Sequence, residues 1–379
     1  MNILFTITYY HPYVSGLSIC AKRIAEGLVS TGHQVSVLAM RHDSKMPEKE
    51  TIHGVQIQRS NVLFRVNKGF ISHSYIFDAF RSVSSADTIL CNIPQPESII
   101  PAIFGKVMGK KVVVLYHCEL ELPPGIFNRL IQFSTDILHL MTLSLCNHVI
   151  VYTTDYADAS RLLQFFKKKI IEIRPPVPMS IVDRKQMTEI RKQIGRVDVV
   201  IGVAARLARE KGIEYLVDAL PVIRSRFPKD IIKIVLAGPM DPVGEDEYKA
   251  FIEKKVMLYS DQIVFLGTIP SEHMAAFYRN IDILAVPSVN RTEAFGLVQI
   301  EAMREGIPVV VSDLPGVRVP VKETGMGLVV PLRDSQAIAT AIIQLIQSGT
   351  RKKHAWDTRH DPYQPSVAIA RYEEVLVSL

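Results

Sequence analysis

The chain has 379 residues, of which 48% are hydrophobic and 22% are charged, so that we expect two domains with substantial cores and exclude a long disordered protein. Its net charge is +6, and residues 1–178 alone carry 18 basic and 13 acidic side chains. This modest excess would suit an anionic acceptor or the anionic face of a membrane, and we expect no nucleic-acid partner.

Buried strands alternate with helical patterns through the first half of the chain. The segment NILFTIT runs into a turn and then into a helical pattern with apolar residues at positions 17, 20, 24 and 28. Four further short, β-branched segments have the composition of buried strands, namely QVSVLAM, TILCN, KVVVLYH and HVIVYTT. This alternation predicts a doubly wound domain with a parallel sheet.

Two segments of the first half resemble helices that lie on a membrane surface. The first is FNRLIQFSTDILHLMTLSLC, which we expect to pack on the sheet, because that packing accounts for its apolar residues. The second is RLLQFFKKKI, where contact with a membrane or a lipid acceptor and a helix end that attracts lysines both remain open.

A proline-rich and then polar stretch, RPPVPMSIVDRKQMTEIRKQIG, predicts an interdomain linker and a following helix. We therefore expect domains at 1–178 and 179–361. The second opens like the first, with DVVIGVA before a turn and a helical pattern, and continues with the strands IIKIVLAG, QIVFLG, DILAVPS and IPVVVSD. Segment 362–379 has helical spacing, and we expect it to return to the first domain.

No targeting or membrane-spanning segment is predicted. The N-terminal MNILFTITYYHPYVSG lacks a basic leader and a small-residue cleavage site, and the longest apolar stretch, 137–146, is too short to cross a bilayer. The four cysteines include no C-x-x-C pair, which favours reduced thiols without zinc or disulfides. We therefore expect a cytoplasmic protein.

The loop and helix after DILAVPS could bind an anion. Ligands of doubly wound sheets lie outside the carboxyl ends of the strands, and a cleft between two domains is the natural place for a site. In RTEAFGLVQIEAMREG a helix is predicted to begin near Gly296, so that the backbone N–H groups of Phe295, Gly296 and Leu297 would point at a phosphate. Glu293 lies just outside this helix start.

Glu301 lies five residues inside the same helix, about 7.5 Å along its axis. A carboxylate is the usual side chain that binds a sugar or ribose diol, because it only accepts hydrogen bonds when it is ionised. Glu293 and Glu301 could therefore hold the two ends of a ligand that joins a sugar, a diphosphate and a ribose. The alternative is two surface glutamates that the helix dipole favours.

Arg206 and Lys211 bracket the turn after DVVIGVA. Two cations there could neutralise a leaving diphosphate, whereas the alternative is a solvated turn. The sequence contains no D-x-D, the acidic pair with which many sugar transferases hold a divalent metal. We therefore expect the protein to supply the positive charge, with no metal and no cofactor.

Three segments resemble, in order and spacing, the second domain of the retaining glycosyltransferases of family GT4, which have the GT-B fold. They are GVAARLAREKG, IVFLGTIPSEHMAAFYRNIDILAVPS and EAFGLVQIEAMREGIPVVVSD. The resemblance extends over nearly the whole chain. It implies an α/β protein of two Rossmann-like doubly wound domains facing a cleft, with acceptor binding in the first and nucleotide-sugar binding in the second.

The resemblance also implies roles for individual residues of the second domain. Arg206 and Lys211 would contact the diphosphate of the donor, and Glu293 would contact the hydroxyl groups of its sugar. Glu301 would bind the ribose, and the backbone around Thr268 and Ile269 would bind the base.

The first domain departs from the family at its glycine loop. The family's P-x-x-G-G turn, which lies near the donor phosphate, reads PYVSG here, so that Ser15 replaces the first glycine and Gly16 is the second. Ser15 could narrow the pocket or donate a hydrogen bond, and Gly16 taken alone could be a plain turn glycine.

His117 at the end of KVVVLYH matches the family histidine near the donor sugar. A histidine at the end of a strand is, without the resemblance, more often a satisfied structural residue. Glu119 and Glu121 follow it in the sequence, and we favour solvated positions over contact with the acceptor.

The expected activity is transfer of a sugar from a UDP- or GDP-sugar to an acceptor hydroxyl with retention, in glycolipid, cell-envelope polysaccharide or other glycoconjugate synthesis. The leaving phosphate would help to deprotonate the acceptor, which could be lipid-linked and bring the protein to a membrane surface. Two alternatives remain: a GT-B epimerase or phosphorylase, and a non-catalytic nucleotide-sugar-binding subunit. An NAD oxidoreductase fits worse, because neither half has G-x-G-x-x-G after its first strand.

Overall fold

The computed structural model describes residues 1–66, 69–241, 244–349, 356 and 361–377. The chain forms two compact units, of which unit 1 comprises Met1–Val177 and Pro362–Leu379 and unit 2 comprises Pro178–Asp361. No helix in the described ranges has both the length and the hydropathy of a membrane span.

Unit 1 is built around an eight-stranded sheet and a separate two-stranded hairpin. Its strands are β1 (Asn2–Thr6), β2 (Gln34–Met40), β3 (Lys49–Ile52), β4 (Val55–Ser60), β5 (Phe64–Val66), β6 (Gly69–Ile71), β7 (Thr88–Ile93), β8 (Lys111–Tyr116), β9 (His148–Val151) and β10 (Ile170–Glu172). Its first five helices are α1 (Gly16–Ser30), α2 (Tyr75–Ser85), α3 (Ile99–Val107), α4 (Ile126–Leu145) and α5 (Thr154–Ala159).

The strand order in the large sheet is β10-β9-β8-β7-β1-β2-β4-β3, and every neighbouring pair is parallel except β3 with β4. The predicted parallel sheet is thus confirmed, with an antiparallel edge strand that the sequence did not reveal. Because right-handed crossovers between parallel strands fix the side of each helix, α3 and α4 cover one face and α1 covers the other. Helices on both faces explain why β7 is buried throughout.

Unit 2 contains a six-stranded, wholly parallel sheet. Its strands are β11 (Val199–Ala204), β12 (Ile232–Ala237), β13 (Ile263–Gly267), β14 (Ile283–Val286), β15 (Val309–Ser312) and β16 (Gly327–Val330). Its helices are α6 (Arg184–Ile194), α7 (Ile213–Arg226), α8 (Asp246–Met257), α9 (Met274–Tyr278), α10 (Leu297–Arg304), α11 (Arg318–Thr324) and α12 (Ser335–Gln347).

The strand order of unit 2 reverses between β11 and β14. The order is β13-β12-β11-β14-β15-β16, so that the chain builds outward from β11 in one direction and from β14 in the other. The helices that follow these two strands therefore lie on opposite faces, and a crevice opens between them at the carboxyl ends of the strands. We call this place the β11/β14 switch point.

The last helix, α13 (Pro365–Val377), packs against α1 in unit 1. Ile369 of α13 lies over Gly27, where a Cβ atom would come within 2.5 Å of it. The hydroxyl of Thr88 donates to the carbonyl oxygen of Leu376 over 3.1 Å. The chain thus returns to its first sheet after completing unit 2.

The structure changes our interpretation of both membrane-helix candidates. The segment RLLQFFKKKI forms two short 3-10 turns and β10, so that it is no amphipathic helix. The ammonium group of Lys169 donates to the carbonyl oxygens of Leu143, Ser144 and Cys146 over 2.7–2.9 Å, and thereby caps α4.

The expectation that packing on the sheet accounts for the apolar residues of α4 is wrong. The residues that α4 buries are Thr135, His139, Thr142 and Leu143. Most of its large apolar side chains are instead exposed.

Candidate active site

Two loops meet at the β11/β14 switch point. The N–H of Val289, after β14, donates to the carbonyl oxygen of Glu210, after β11, over 3.0 Å. Gly212 ends the first loop with φ +60°, and a Cβ atom there would lie 2.2 Å from the carbonyl oxygen of Pro287. Only glycine allows both this backbone conformation and this close approach, so that Gly212 sets the distance between the loops.

Lys211 and Glu293 form the centre of the candidate site. The lysine Nζ lies 2.5 Å from the glutamate Oε2, although the residues are 82 positions apart. The Ser288 Oγ lies 3.4 Å from the same carboxylate oxygen. The side chains are 22% and 15% exposed, so that a ligand could still reach a pair whose charges are only partly screened by water.

Arg206 forms an ion pair with Glu210. Glu210 is 9% exposed, and its backbone joins the two loops, so that its carboxylate can hold the guanidinium group in place. Glu210 was not predicted from the sequence. Its position four residues after Arg206, between the two predicted cations, was the available signal.

Helix α10 starts at the second loop with its predicted glycine. Gly296 has φ +75°, a left-handed conformation that favours glycine, and Leu297 is the first helical residue. The buried Gln299 side chain donates to the carbonyl oxygens of Phe295 and, over 3.0 Å, of Val317. These bonds fix the helix start, where N–H groups and the helix dipole favour an anion.

Glu301 contacts α9, the helix that follows the predicted base-binding residues in the chain. The hydroxyl of the buried Tyr278, at the end of α9, donates to Glu301 Oε2 over 2.9 Å and orients the carboxylate. Thr268 is exposed and Ile269 is half-buried, directly after β13 at the edge of the sheet. Tyr278 was not predicted, because nothing in its local sequence separates it from a core tyrosine.

In unit 1, Ser15 and Gly16 form an ordinary helix start. Ser15 is the N-cap of α1, and its Oγ accepts a hydrogen bond from the N–H of Ser18 over 3.1 Å while the Ser18 hydroxyl accepts from the N–H of Ser15. A Cβ atom at Gly16 would have no heavy atom within 4 Å. Ser15 therefore has a structural role that accounts for a serine at this position.

His117 lies at the end of β8 with both ring nitrogens occupied. Its Nε2 lies 2.6 Å from Asn92 Oδ1, and its Nδ1 lies 2.6 Å from the hydroxyl of Tyr152. Asn92 Nδ2 donates to the carbonyl oxygen of Thr6, so that Asn92 Oδ1 accepts from His117 Nε2. The Tyr152 hydroxyl also donates to Cys20 Sγ over 3.1 Å. Both ring nitrogens of His117 are thus bonded to protein groups, and direct proton transfer by the ring would first require breaking one of these bonds.

Two buried histidines are expected to make unit 1 sensitive to acid. Burial lowers the pKa of His117 to about 3 and that of His139 to about 4, from 6.5 in an unfolded chain. The stability that these two neutral rings contribute is therefore fully present above pH 6.5. As the pH decreases from 6.5, the free energy of unfolding falls by up to about 1.4 kcal/mol per pH unit for each ring, until the rings in the folded protein titrate near pH 4 and 3.

The test is urea unfolding of unit 1 between about pH 7 and pH 5, compared with His139→Leu. His139 Nε2 has no hydrogen-bond partner among the described residues, so that leucine should remove a titrating group without a loss of bonding. We expect a shallower pH slope in this variant than in the wild type. An unchanged slope in His139→Leu would contradict the assignment.

Glu119 is buried, contrary to the solvated position that the sequence favoured. Its Oε1 accepts from the hydroxyl of Ser160 and the N–H of Arg161, each over 2.7 Å. Glu121 is exposed, as expected for a solvated residue. In the described part of the chain, no three His, Cys, Asp or Glu side chains are grouped as metal ligands would be.

Comparison with known proteins gives two family matches. The family model "Glycosyltransferase Family 4" matches residues 14–181, and "Glycosyl transferases group 1" matches residues 186–360. A Methanocaldococcus jannaschii protein described as an uncharacterized glycosyltransferase is 27% identical over 378 residues, which cover 96% of this chain and 94% of that protein.

More distant similarity is regional or structural. The D-inositol 3-phosphate glycosyltransferase of Corynebacterium urealyticum is 34% identical over 154 residues, which span 40% of this chain and only 36% of that protein. The crystal structure of Anabaena HepE in complex with UDP and glucose matches with a TM-score of 0.79 at 18% identity, and the match covers 100% of this chain and 99% of HepE.

The two family models together span most of the chain, and HepE shares its architecture of two α/β units. The chain belongs to family 4 of the glycosyltransferases and has the GT-B fold.

Proposed function

We propose that this glycosyltransferase moves a sugar from a nucleoside-diphosphate sugar to an acceptor hydroxyl with retention of configuration, in the synthesis of a glycoconjugate. UDP-sugars are the first candidates for the donor, because HepE is described in complex with UDP and glucose and with UDP-glucose. GDP-sugars remain candidates beside them.

The observation that supports this proposal most strongly is the contact of Lys211 with Glu293 at the β11/β14 switch point. A diphosphate placed at the start of α10 would lie beside the ammonium group of Lys211 and the helix N–H groups. Its attraction to Lys211 would loosen the ion pair, and the Glu293 carboxylate could then accept hydrogen bonds from the sugar hydroxyls. Binding of the phosphate and recognition of the sugar would thus be coupled.

Charge development in the reaction suits the same groups. Cleavage of the sugar–phosphate bond leaves negative charge on the departing diphosphate, which Lys211, Arg206 and the start of α10 would stabilise. We propose that the departing phosphate takes the proton of the acceptor hydroxyl and that no metal takes part. His117 would act as a positioning residue, since both of its ring nitrogens are bonded to protein groups.

Donor binding tests this proposal. A thermal-shift panel of UDP-, GDP- and ADP-sugars should raise the melting temperature with one nucleotide, because the ligand binds only the folded state. Glu301→Gln should weaken that nucleotide about tenfold, since an amide is a poorer acceptor for a ribose diol. The hydrogen bond from Tyr278 can persist to the glutamine oxygen, so that the fold should be unaffected.

The matched control is Glu253→Gln on α8, which should bind the donor like the wild type. Equal weakening in both variants, or no shift with any nucleotide sugar, would argue against the proposed site. Cytoplasmic residence remains part of the proposal, in line with four cysteines, all within the described residues, that form no disulfide with one another.

A further inference from the structure

Helix α4 is amphipathic, but its buried side is mostly polar and its exposed side is apolar. Three of the four residues that it buries are polar, whereas its exposed large apolar side chains are Ile126, Phe127, Leu130, Phe133, Ile137 and Met141. At 100° per residue, all of these except Phe127 lie within an arc of about 80°. A stripe that served the core would face inward, so that the core of unit 1 does not account for this stripe.

The neighbouring helices extend the same surface. Helix α3 packs against both α2 and α4, and the rings of Phe80 and Phe104 meet edge to face at 5.5 Å. Helix α2 exposes Ile76, Phe77 and Phe80, and α3 exposes Ile103 and Val107. We call the outer surface of α2, α3 and α4 the apolar helical face. Contiguous apolar surface of this kind marks contact with a protein or a membrane.

The charges on this face indicate whether its partner is a protein or a membrane. The exposed charged residues of the three helices, all of which the structure describes, are Arg81, Lys106 and Arg129. The two acidic residues, Asp78 and Asp136, are half-buried and bonded to the Ser60 hydroxyl and to Arg161. The face therefore offers apolar side chains with cations among them and no exposed carboxylate.

A second copy of the chain would suit this face poorly. In a twofold interface the three cations of each copy would meet the same cations without an acidic partner. The surface of an anionic bilayer supplies negative charge for these cations, and its interior supplies an apolar environment for the exposed apolar side chains. Arg129 and Phe133 also line one open groove of about 430 Å³ at the start of α4, so that a cation and a ring share one opening.

We propose that the apolar helical face docks unit 1 on an anionic lipid bilayer, with the stripe of α4 inserted among the lipid headgroups. This peripheral contact would place the enzyme where a lipid-linked acceptor is found. The docking itself depends only on unit 1 and would stand even if the proposed donor chemistry failed.

Vesicle co-sedimentation tests the docking directly. The full chain is mixed with vesicles of phosphatidylcholine alone, or of phosphatidylglycerol and phosphatidylcholine in a one-to-two ratio. We expect binding to the anionic vesicles that weakens as salt is added, and much weaker binding to the neutral ones. Leu130→Gln with Phe133→Gln should lower the affinity at least tenfold, because two inserted apolar side chains are lost.

Two further double variants complete the experiment. Lys106→Gln with Arg129→Gln should lower affinity for anionic vesicles by about fivefold per residue and leave the weak neutral binding unchanged. The control, Met257→Gln with Leu258→Gln, changes two side chains that are each 75% exposed in unit 2, and it should bind like the wild type. All variants alter exposed positions, and each should retain the wild-type melting temperature.

Several outcomes would overturn the proposal. These are absence of binding by the wild type, equal loss in the unit 2 control, or light scattering that shows a dimer which the Leu130 and Phe133 variant dissociates while vesicle binding is unchanged. Nucleotide-sugar thermal shifts on the same variants separate the two proposals. They should be normal in every variant, since no changed residue belongs to the donor site.

Discussion

Replacing Lys211 by methionine is expected to lower the rate of sugar transfer by a factor of about 10² to 10⁴, or roughly 3–5 kcal/mol. Methionine keeps the aliphatic length and removes the charge that we place against the departing diphosphate. It also leaves the half-buried Glu293 carboxylate without its cation, so that a negative charge would face the donor phosphates. The measurement is the initial rate of transfer at several donor concentrations.

Lys255→Met is the matched control for this variant. Lys255 is 21% exposed and its Nζ lies 2.7 Å from Asp218 Oδ1, which resembles the 22% exposure of Lys211 and its pairing with Glu293. Loss of the ion pair between Lys255 and Asp218 should leave the rate of sugar transfer unchanged, because these residues lie on α8 and α7, away from the β11/β14 switch point. A rate within about threefold of the wild type in Lys211→Met would refute the role of the lysine.

Gly212→Ala is expected to destabilise unit 2 by about 3 kcal/mol or more, the largest effect on stability that we predict. The alanine Cβ would collide with the carbonyl oxygen of Pro287, which belongs to the backbone and cannot rotate away. The two loops must then separate, and the contact of Lys211 with Glu293 would lengthen. Because small displacements in a site can cost about 10²-fold in rate, transfer should fall as well.

Gly325→Ala separates the cost of the left-handed backbone conformation from the cost of the collision with Pro287. Gly325 has φ +67°, close to the +60° of Gly212, but a Cβ atom there would have no heavy atom within 4 Å. This variant should therefore lower the free energy of unfolding only by the cost of the left-handed conformation, about 1 kcal/mol. Urea unfolding measures both variants, and hydrogen exchange of β11 and β14 locates the loss. Equal destabilisation in the two variants would show that close approach of the loops is unimportant.

Of the sixteen strands in the described residues, ten could be predicted from the sequence and six could not. The ten predicted strands, among them KVVVLYH and DVVIGVA, correspond to strands of the structure, and most of them are buried on both faces and are therefore continuously apolar. Among the strands that were not predicted, β3, β5, β6, β10 and β16 are short, and β3, β10 and β16 lie at sheet edges where one neighbour suffices. The sixth, β4, was not predicted either, although it lies inside the sheet between β2 and β3. Their sequences, such as KETI, carry little signal.

The residues of the proposed donor site could be predicted in part, because a doubly wound sheet places the loops after β11 and β14 together. On this basis Arg206, Lys211, Glu293 and Glu301 were predicted. It could not supply Glu210 or Tyr278, since those contacts depend on side-chain conformations and on elements that are distant in sequence. The direction in which the α4 stripe faces could not be predicted for a related reason. A periodic pattern shows that one face of a helix is apolar but not whether that face points to the core or to solvent.

The most direct test of the proposed function is phosphorus NMR of the products formed by the wild-type enzyme from UDP-glucose or GDP-mannose. The reaction is run in EDTA, with a membrane lipid and polysaccharide extract as the source of acceptor. We predict the nucleoside diphosphate as the only new phosphorus species, formed faster with the extract than without it and absent with Lys211→Met. Formation of a sugar 1-phosphate, conversion of the donor to its epimer, or binding of the donor without turnover would contradict sugar transfer by this chain.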